Sequence, residues 1–166
     1  MKGAGTTESY MRALQSDLPI RGVCVTTDRL CVDKSVARAF IEGFARRAAA
    51  IKVGYGLDEG SEMGPLINLR RLKAIENIVE DARQKGARVV TGGQRITDKP
   101  GFYFAPTVLA DVPDDALALA EENFGPIAAI TTFTDEADVI ARVNRSELAL
   151  SAYAFTRDAA RIRRVS

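Results

Sequence analysis

Ile127-Ala128-Ala129-Ile130-Thr131-Thr132-Phe133 reads as a strand, and Asp135 to Val143 reads as the helix that follows it. The same rhythm returns at once, with Ser151 to Thr156 as strand and Asp158 to Val165 as helix. Strands alternating with helices over short connections imply an α/β layer around a mostly parallel sheet. Working back along the chain, Tyr103 to Val112 is a further extended run. Its Pro106 cannot donate a ladder bond, which demotes that part to an edge or a bulge. Ala87 to Thr91 is a strand stopped by Gly92-Gly93.

The helices of the amino-terminal half have equally direct signals. Asn68 is a good cap for a helix whose buried stripe is Leu72, Ile75, Val79 and Ala82, and Gly86 supplies a left-handed terminus. Further back, Arg29-Leu30-Cys31-Val32 reads as a short buried strand, after which Asp33 or Ser35 caps a helix. Val36, Phe40, Phe44, Ala48 and Ile51 fall on one face of that helix, and Gly54 and Gly56 are expected to end it.

Composition bounds the function. A chain of 166 residues, 46% hydrophobic and 27% charged, fits one soluble globular unit with a single core. A net charge of +1 argues against a nucleic-acid partner, which needs concentrated positive charge to displace counterions. A solvated helix face explains the basic run from Arg157 to Arg164 at least as well as a binding patch does. No apolar stretch is long enough to span a bilayer, and Met1 to Ser16 lacks the apolar core of a secretion signal, so a cytoplasmic location is expected. Two cysteines, Cys24 and Cys31, make no disulfide framework, and the absence of histidine excludes Ser-His and Cys-His nucleophile pairs.

Two places could carry chemistry. Cys24 stands on a small-residue turn between Gly22-Val23 and Val25-Thr26-Thr27. An accessible thiol there could be served by neighbouring N–H groups as an oxyanion hole. From this stretch alone, a buried and inert cysteine is the simpler account. For Cys31, between Leu30 and Val32, the inert, buried account is the expectation. The second place is Glu121-Glu122-Asn123-Phe124-Gly125-Pro126, which could turn one acid and one aromatic ring toward a ligand, or could be a turn flanked by solvated charges. Gly92-Gly93 lacks the spacing and setting of a dinucleotide-binding turn, and no metal-ligand cluster is present.

Taken in order, these motifs resemble the aldehyde dehydrogenase superfamily. Cys24 four residues before Asp28-Arg29 is similar to the family's active-cysteine segment. Lys52-Val53-Gly54, Met63-Gly64-Pro65-Leu66-Ile67, Gly86 to Gly93, Gly101 to Leu109, Glu121 to Pro126 and Phe155-Thr156-Arg157-Asp158 follow in the family's sequence. The match runs from about Arg21 to Val165 and is nearest in texture to the bacterial succinate-semialdehyde type; residues 1–20 are expected to form an irregular leader and 21–166 part of a catalytic domain.

The resemblance implies oxidation of an aldehyde to a carboxylic acid with NAD or NADP as acceptor, through a thiohemiacetal and a thioester on a cysteine. At the matching positions, Cys24 would be the nucleophile, Glu122 would bind the nicotinamide ribose hydroxyls, and Phe124 would pack near the nicotinamide ring. A homo-oligomer is expected, because the family assembles through this domain. Departures are Arg21-Gly22 in place of the family's Gly-Gln, and Leu148-Ala149-Leu150 in place of Tyr-Gly-Leu. The family's dinucleotide-binding domain, general-base glutamate and oxyanion-hole asparagine precede the cysteine, and a further segment follows the residue matching Ser166. The chain is therefore expected to be a fragment that binds no cofactor and turns over no aldehyde by itself. Half of a two-chain enzyme, a non-catalytic interaction module and a thiol esterase are the alternatives, the last disfavoured by the missing histidine.

Overall fold

A computed structural model describes residues 29–146 and 150–165. Four strands form one sheet: β1 (Arg29–Asp33), β2 (Arg88–Thr91), β3 (Thr107–Ala110) and β4 (Ile127–Phe133). Their order is β1-β4-β3-β2. β4 lies parallel to both neighbours, with Leu30 beside Ile130 and Leu109 beside Ala129. Only β2 runs antiparallel, against β3. The mostly parallel α/β sheet flanked by helices is therefore present.

Alternation along β4 builds two cores at once, because successive side chains leave opposite faces of a strand. Ala128 and Ile130 join Leu30, Val32 and Val108 on one face. Helix α1 (Lys34–Ala50) covers that face with Phe40, Ile41, Phe44 and Ala48, and the Phe40 and Phe44 rings stack at 5.8 Å between centroids. Ile127 and Ala129 join Leu109 and Phe104 on the opposite face, under Leu72, Ile75, Ile78 and Val79 of helix α2 (Leu69–Gln84).

The helix ends follow local chemistry. Asp33 caps α1 by accepting from the Ser35 N–H at 2.9 Å and the Ser35 hydroxyl at 2.6 Å. These two bonds hold its carboxyl below the usual aspartate range. Asn68 caps α2 through the Arg71 N–H at 2.9 Å. At its far end Gly86, with φ of +98°, lets the Ala87 N–H return to the Ala82 carbonyl. A short helix α3 (Leu117–Ala120) precedes β4, and α4 (Glu136–Asn144), capped by Asp135, follows it. Helix α5 (Ala159–Val165) is capped by Asp158.

Three expectations need correction. Helix α1 stops at Ala50, with Ile51 already extended, so Gly54 and Gly56 do not end it. Gly54 instead enters a loop in which its N–H donates to the Met63 carbonyl at 2.9 Å. The extended run at 103–112 contributes only Thr107–Ala110 to the sheet, because the ladder begins immediately after Pro106. Ser151 to Thr156 is not a strand: it has no regular structure and is mostly exposed. A strand needs a neighbour for its N–H and C=O groups. β4 already has both flanks filled, and no strand among the described residues lies beyond β1.

Candidate active site

The loop between α3 and β4 holds both residues singled out for cofactor contact. Its backbone is fixed from three sides. Asn123, fully buried, donates from Nδ2 to the Ala118 carbonyl at 3.1 Å. Gly125 packs so closely on Ile75 of α2 that an added Cβ would stand within 2.8 Å of Ile75 Cγ1. The Pro126 carbonyl accepts from the Thr107 N–H at 2.7 Å, which joins the loop to the start of β3.

Within this anchored loop Phe124 has φ of +36°, a left-handed conformation that costs a non-glycine residue of order 1–3 kcal/mol. The consequence is an aromatic ring turned outward, 44% exposed, between two buried neighbours. Phe124 lines a cleft of about 640 Å³ together with Met63, Leu66, Ile67, Phe104 and Arg71. Glu122 is exposed and does not itself line the cleft; its carbonyl accepts from Arg71 Nη2, a cleft residue, at 2.9 Å.

The two sequence-predicted contacts are thus brought together on one short loop. Cys24 lies outside the described residues. Four residues lie between it and Arg29 in the sequence, where β1 begins, and β1 runs parallel to β4 as its direct neighbour. The amino ends of β1 and β4 therefore open on the same edge of the sheet as the Glu122–Phe124 loop.

Cys31 is in a strand, as expected, but its thiol is exposed and not buried. Leu30 and Val32 point into the core under α1, whereas Cys31 points to the other face, where α2 covers the β3 side of the sheet but not β1. Thr131 Oγ1 stands 3.6 Å from its sulfur.

Arg71 was not legible as a site residue, although one signal existed. It lies in the first turn of α2, where the helix dipole disfavours a cation, and no acidic residue balances it there. The structure shows the compensation: its guanidinium donates to the carbonyls of Glu122, Asn123 and Phe124 and lies 5.6 Å from the Phe124 ring centroid.

The sequence profile of the aldehyde dehydrogenase family matches residues 20–166, the whole of the fold just described. The chain belongs to the aldehyde dehydrogenase family. Among relatives, the succinate-semialdehyde dehydrogenase of Paenarthrobacter nicotinovorans is 45% identical over 143 residues, covering 86% of this chain and 32% of that protein. The NADP(+) succinate-semialdehyde dehydrogenase of Escherichia coli K12 is 43% identical, covering 86% and 29%.

Solved aldehyde dehydrogenases superpose closely. Succinate-semialdehyde dehydrogenase from Burkholderia pseudomallei gives a TM-score of 0.90 at 36% identity, over 99% of this chain and 34% of that one. The NAD+ complex of the Bacillus cereus aldehyde dehydrogenase gives 0.89 at 28% identity, over 99% and 34%. The chain thus spans about a third of the length of the aldehyde dehydrogenases it matches. Among the described residues, no helix is long and apolar enough to cross a membrane.

Proposed function

We propose that this chain contributes the nucleophile and the nicotinamide-facing loop of an NAD(P)-dependent aldehyde dehydrogenase. The observation that carries the reading is the outward Phe124 ring and exposed Glu122 on one anchored loop, at the sheet edge where β1 begins. Both residues suit the cofactor. An aromatic face beside an open cleft can pack against a planar ring, and a solvent-facing carboxylate can accept from vicinal ribose hydroxyls. When bound there, the nicotinamide supplies the hydride acceptor.

Cys24 as thiolate adds to the aldehyde carbon and converts the carbonyl oxygen to an oxyanion, which its own backbone N–H helps hold. After loss of hydride the acyl group remains on sulfur as a thioester. Water then releases the carboxylic acid and returns the thiol. Short dicarboxylic semialdehydes are the substrates to try first, because the relatives at 45% and 43% identity are named succinate- and glutarate-semialdehyde dehydrogenases.

These 166 residues alone are proposed to bind no dinucleotide firmly and to give no turnover. In the family the general base and a second oxyanion donor come from segments before the cysteine, and one such donor is worth about two to three orders of magnitude in rate. Timed alkylation with peptide mapping, run beside NADH and NADPH production on semialdehydes, tests both parts. Cys24 should label ahead of Cys31, and no reduced cofactor should form. Since Cys31 is itself exposed, burial is not the basis of that preference; it is proposed to rest on Arg21, three residues before Cys24 in the sequence, as a cation favouring the Cys24 thiolate. Preferential labelling of Cys31 removes the site assignment; turnover abolished by Cys24→Ala refutes inactivity.

Self-association is part of the same proposal. Leu150, Tyr153 and Val165 are exposed near the end of the chain, and light scattering should find a homodimer or larger. A monodisperse monomer at high concentration counts against it.

A further inference from the structure

We infer that Arg71 is the positioning residue of this site: it holds the Glu122–Phe124 loop in the one conformation that presents both contacts. The inference rests on reading those two residues as nicotinamide contacts. Three successive carbonyls, of Glu122, Asn123 and Phe124, all face the Arg71 guanidinium. Successive carbonyls of an extended chain point to alternate sides, so a shared donor demands a sharp local turn. The positive φ of Phe124 is that turn.

A planar guanidinium with five N–H donors can serve three acceptors at once, and a lysine ammonium cannot reproduce its fork. The same group lies 5.6 Å from the Phe124 ring centroid, which couples the ring's direction to the carbonyl contacts. Arg71 itself is held in register, since its own N–H donates to the Asn68 cap at 2.9 Å. One helix terminus thereby sets the orientation of a loop more than fifty residues away in sequence.

Other anchors do not explain the turn. The Asn123 amide reaches Ala118, and Gly125 packs on Ile75; both contacts fix where the loop sits, and neither is made to the Phe124 carbonyl oxygen or to its ring. Removing Arg71 should leave the loop attached at 123 and 125, with Phe124 released to an ordinary negative φ.

The test uses isotope-labelled full chain as wild type, Arg71→Ala and Arg71→Lys. Scalar couplings and backbone shifts report φ at Phe124, and urea unfolding reports the fold. In wild type, Phe124 should report positive φ. Arg71→Ala should lose that signature while residues of α2 and β4 keep theirs, and Arg71→Lys should retain it only in part. A Phe124 that keeps positive φ in Arg71→Ala overturns the inference, as does a change spread evenly over α2 and β4.

Millimolar nicotinamide mononucleotide is then added as the probe. It should shift the Glu122 and Phe124 amides of the wild type. If the competent loop falls to about a tenth of the population in Arg71→Ala, apparent affinity falls about tenfold. A wild type whose loop signals ignore the nucleotide sinks the ligand reading. The Phe124 couplings decide the positioning separately.

Discussion

Residues 127–144 and 150–165 carry the same signal, an apolar extended run followed by a capped helix, and the structure treats them differently. β4 is buried through its first five residues, with a parallel partner on each side and a core on each face. The run at 151–156 pairs with no strand of the sheet, and Tyr153 is 57% exposed. Helices α4 and α5 both lack buried residues, so the difference lies in the extended segments. Local sequence specifies that a segment wants to be a strand; a vacant, correctly spaced neighbour specifies that it becomes one.

The largest test of that contrast compares truncations in the two runs. Ile130 is fully buried between β1 and β3, facing Phe40 and Phe44 through one continuous core. Ile130→Ala should lower stability by about 2–5 kcal/mol in urea unfolding, the range for a large apolar side chain lost from a close-packed core. Tyr153→Ala should fall within about 0.5 kcal/mol of wild type, as exposed positions do. Equal effects would mean that 151–156 is packed in solution and would erase the contrast.

A smaller effect is expected where the packed region meets the site. Gly125→Ala places a methyl against Ile75, which is itself fully buried in α2. Overpacking of this kind costs about 1–3 kcal/mol. Ile75→Val in the same chain removes the Cδ1 nearest the new methyl and should recover part of the loss. A double variant no better than the single would show that the loop, and not the core, absorbs the methyl.

How far the sequence carries follows from the same comparison. Asn68, Asp33 and Gly86 were legible because caps are settled within a few residues. The strand around Ile127 was legible because burial on both faces leaves a continuous apolar run, and the half-buried edge strand around Val89 because Gly86 and Gly92-Gly93 bracket it. The exposure of Cys31 was not, since it depends on how far α2 extends across the sheet. At the site, Glu122 and Phe124 came from the order of motifs. The outward turn of Phe124 did not, because it is imposed by Arg71 from a helix 53 residues away in sequence.

The smallest expected effect concerns what ties the loosely packed end to the rest. Glu136, at the start of α4, accepts from Arg164 Nε at 2.7 Å and from Arg161 Nε at 2.6 Å, so both arginines of α5 converge on one carboxylate. Hydrogen bonding by Arg164 first, and by Arg161 after it, brings the Glu136 pKa from 4.5 down to about 2 against an opposing desolvation. A depressed folded-state pKa gives a contribution that is complete above the unfolded value near 4.5 and is lost as pH falls toward 2. The carboxylate is near the surface, so salt should weaken the tie and its share of global stability should be slight. The expected signal is local: amide exchange in Ala159–Val165 should rise between pH 4.5 and 2 before the sheet opens, and Glu136→Gln should show the fast exchange already at pH 7. If α5 exchanges in step with β4 across that range, the two regions share one cooperative unit and the division between them fails.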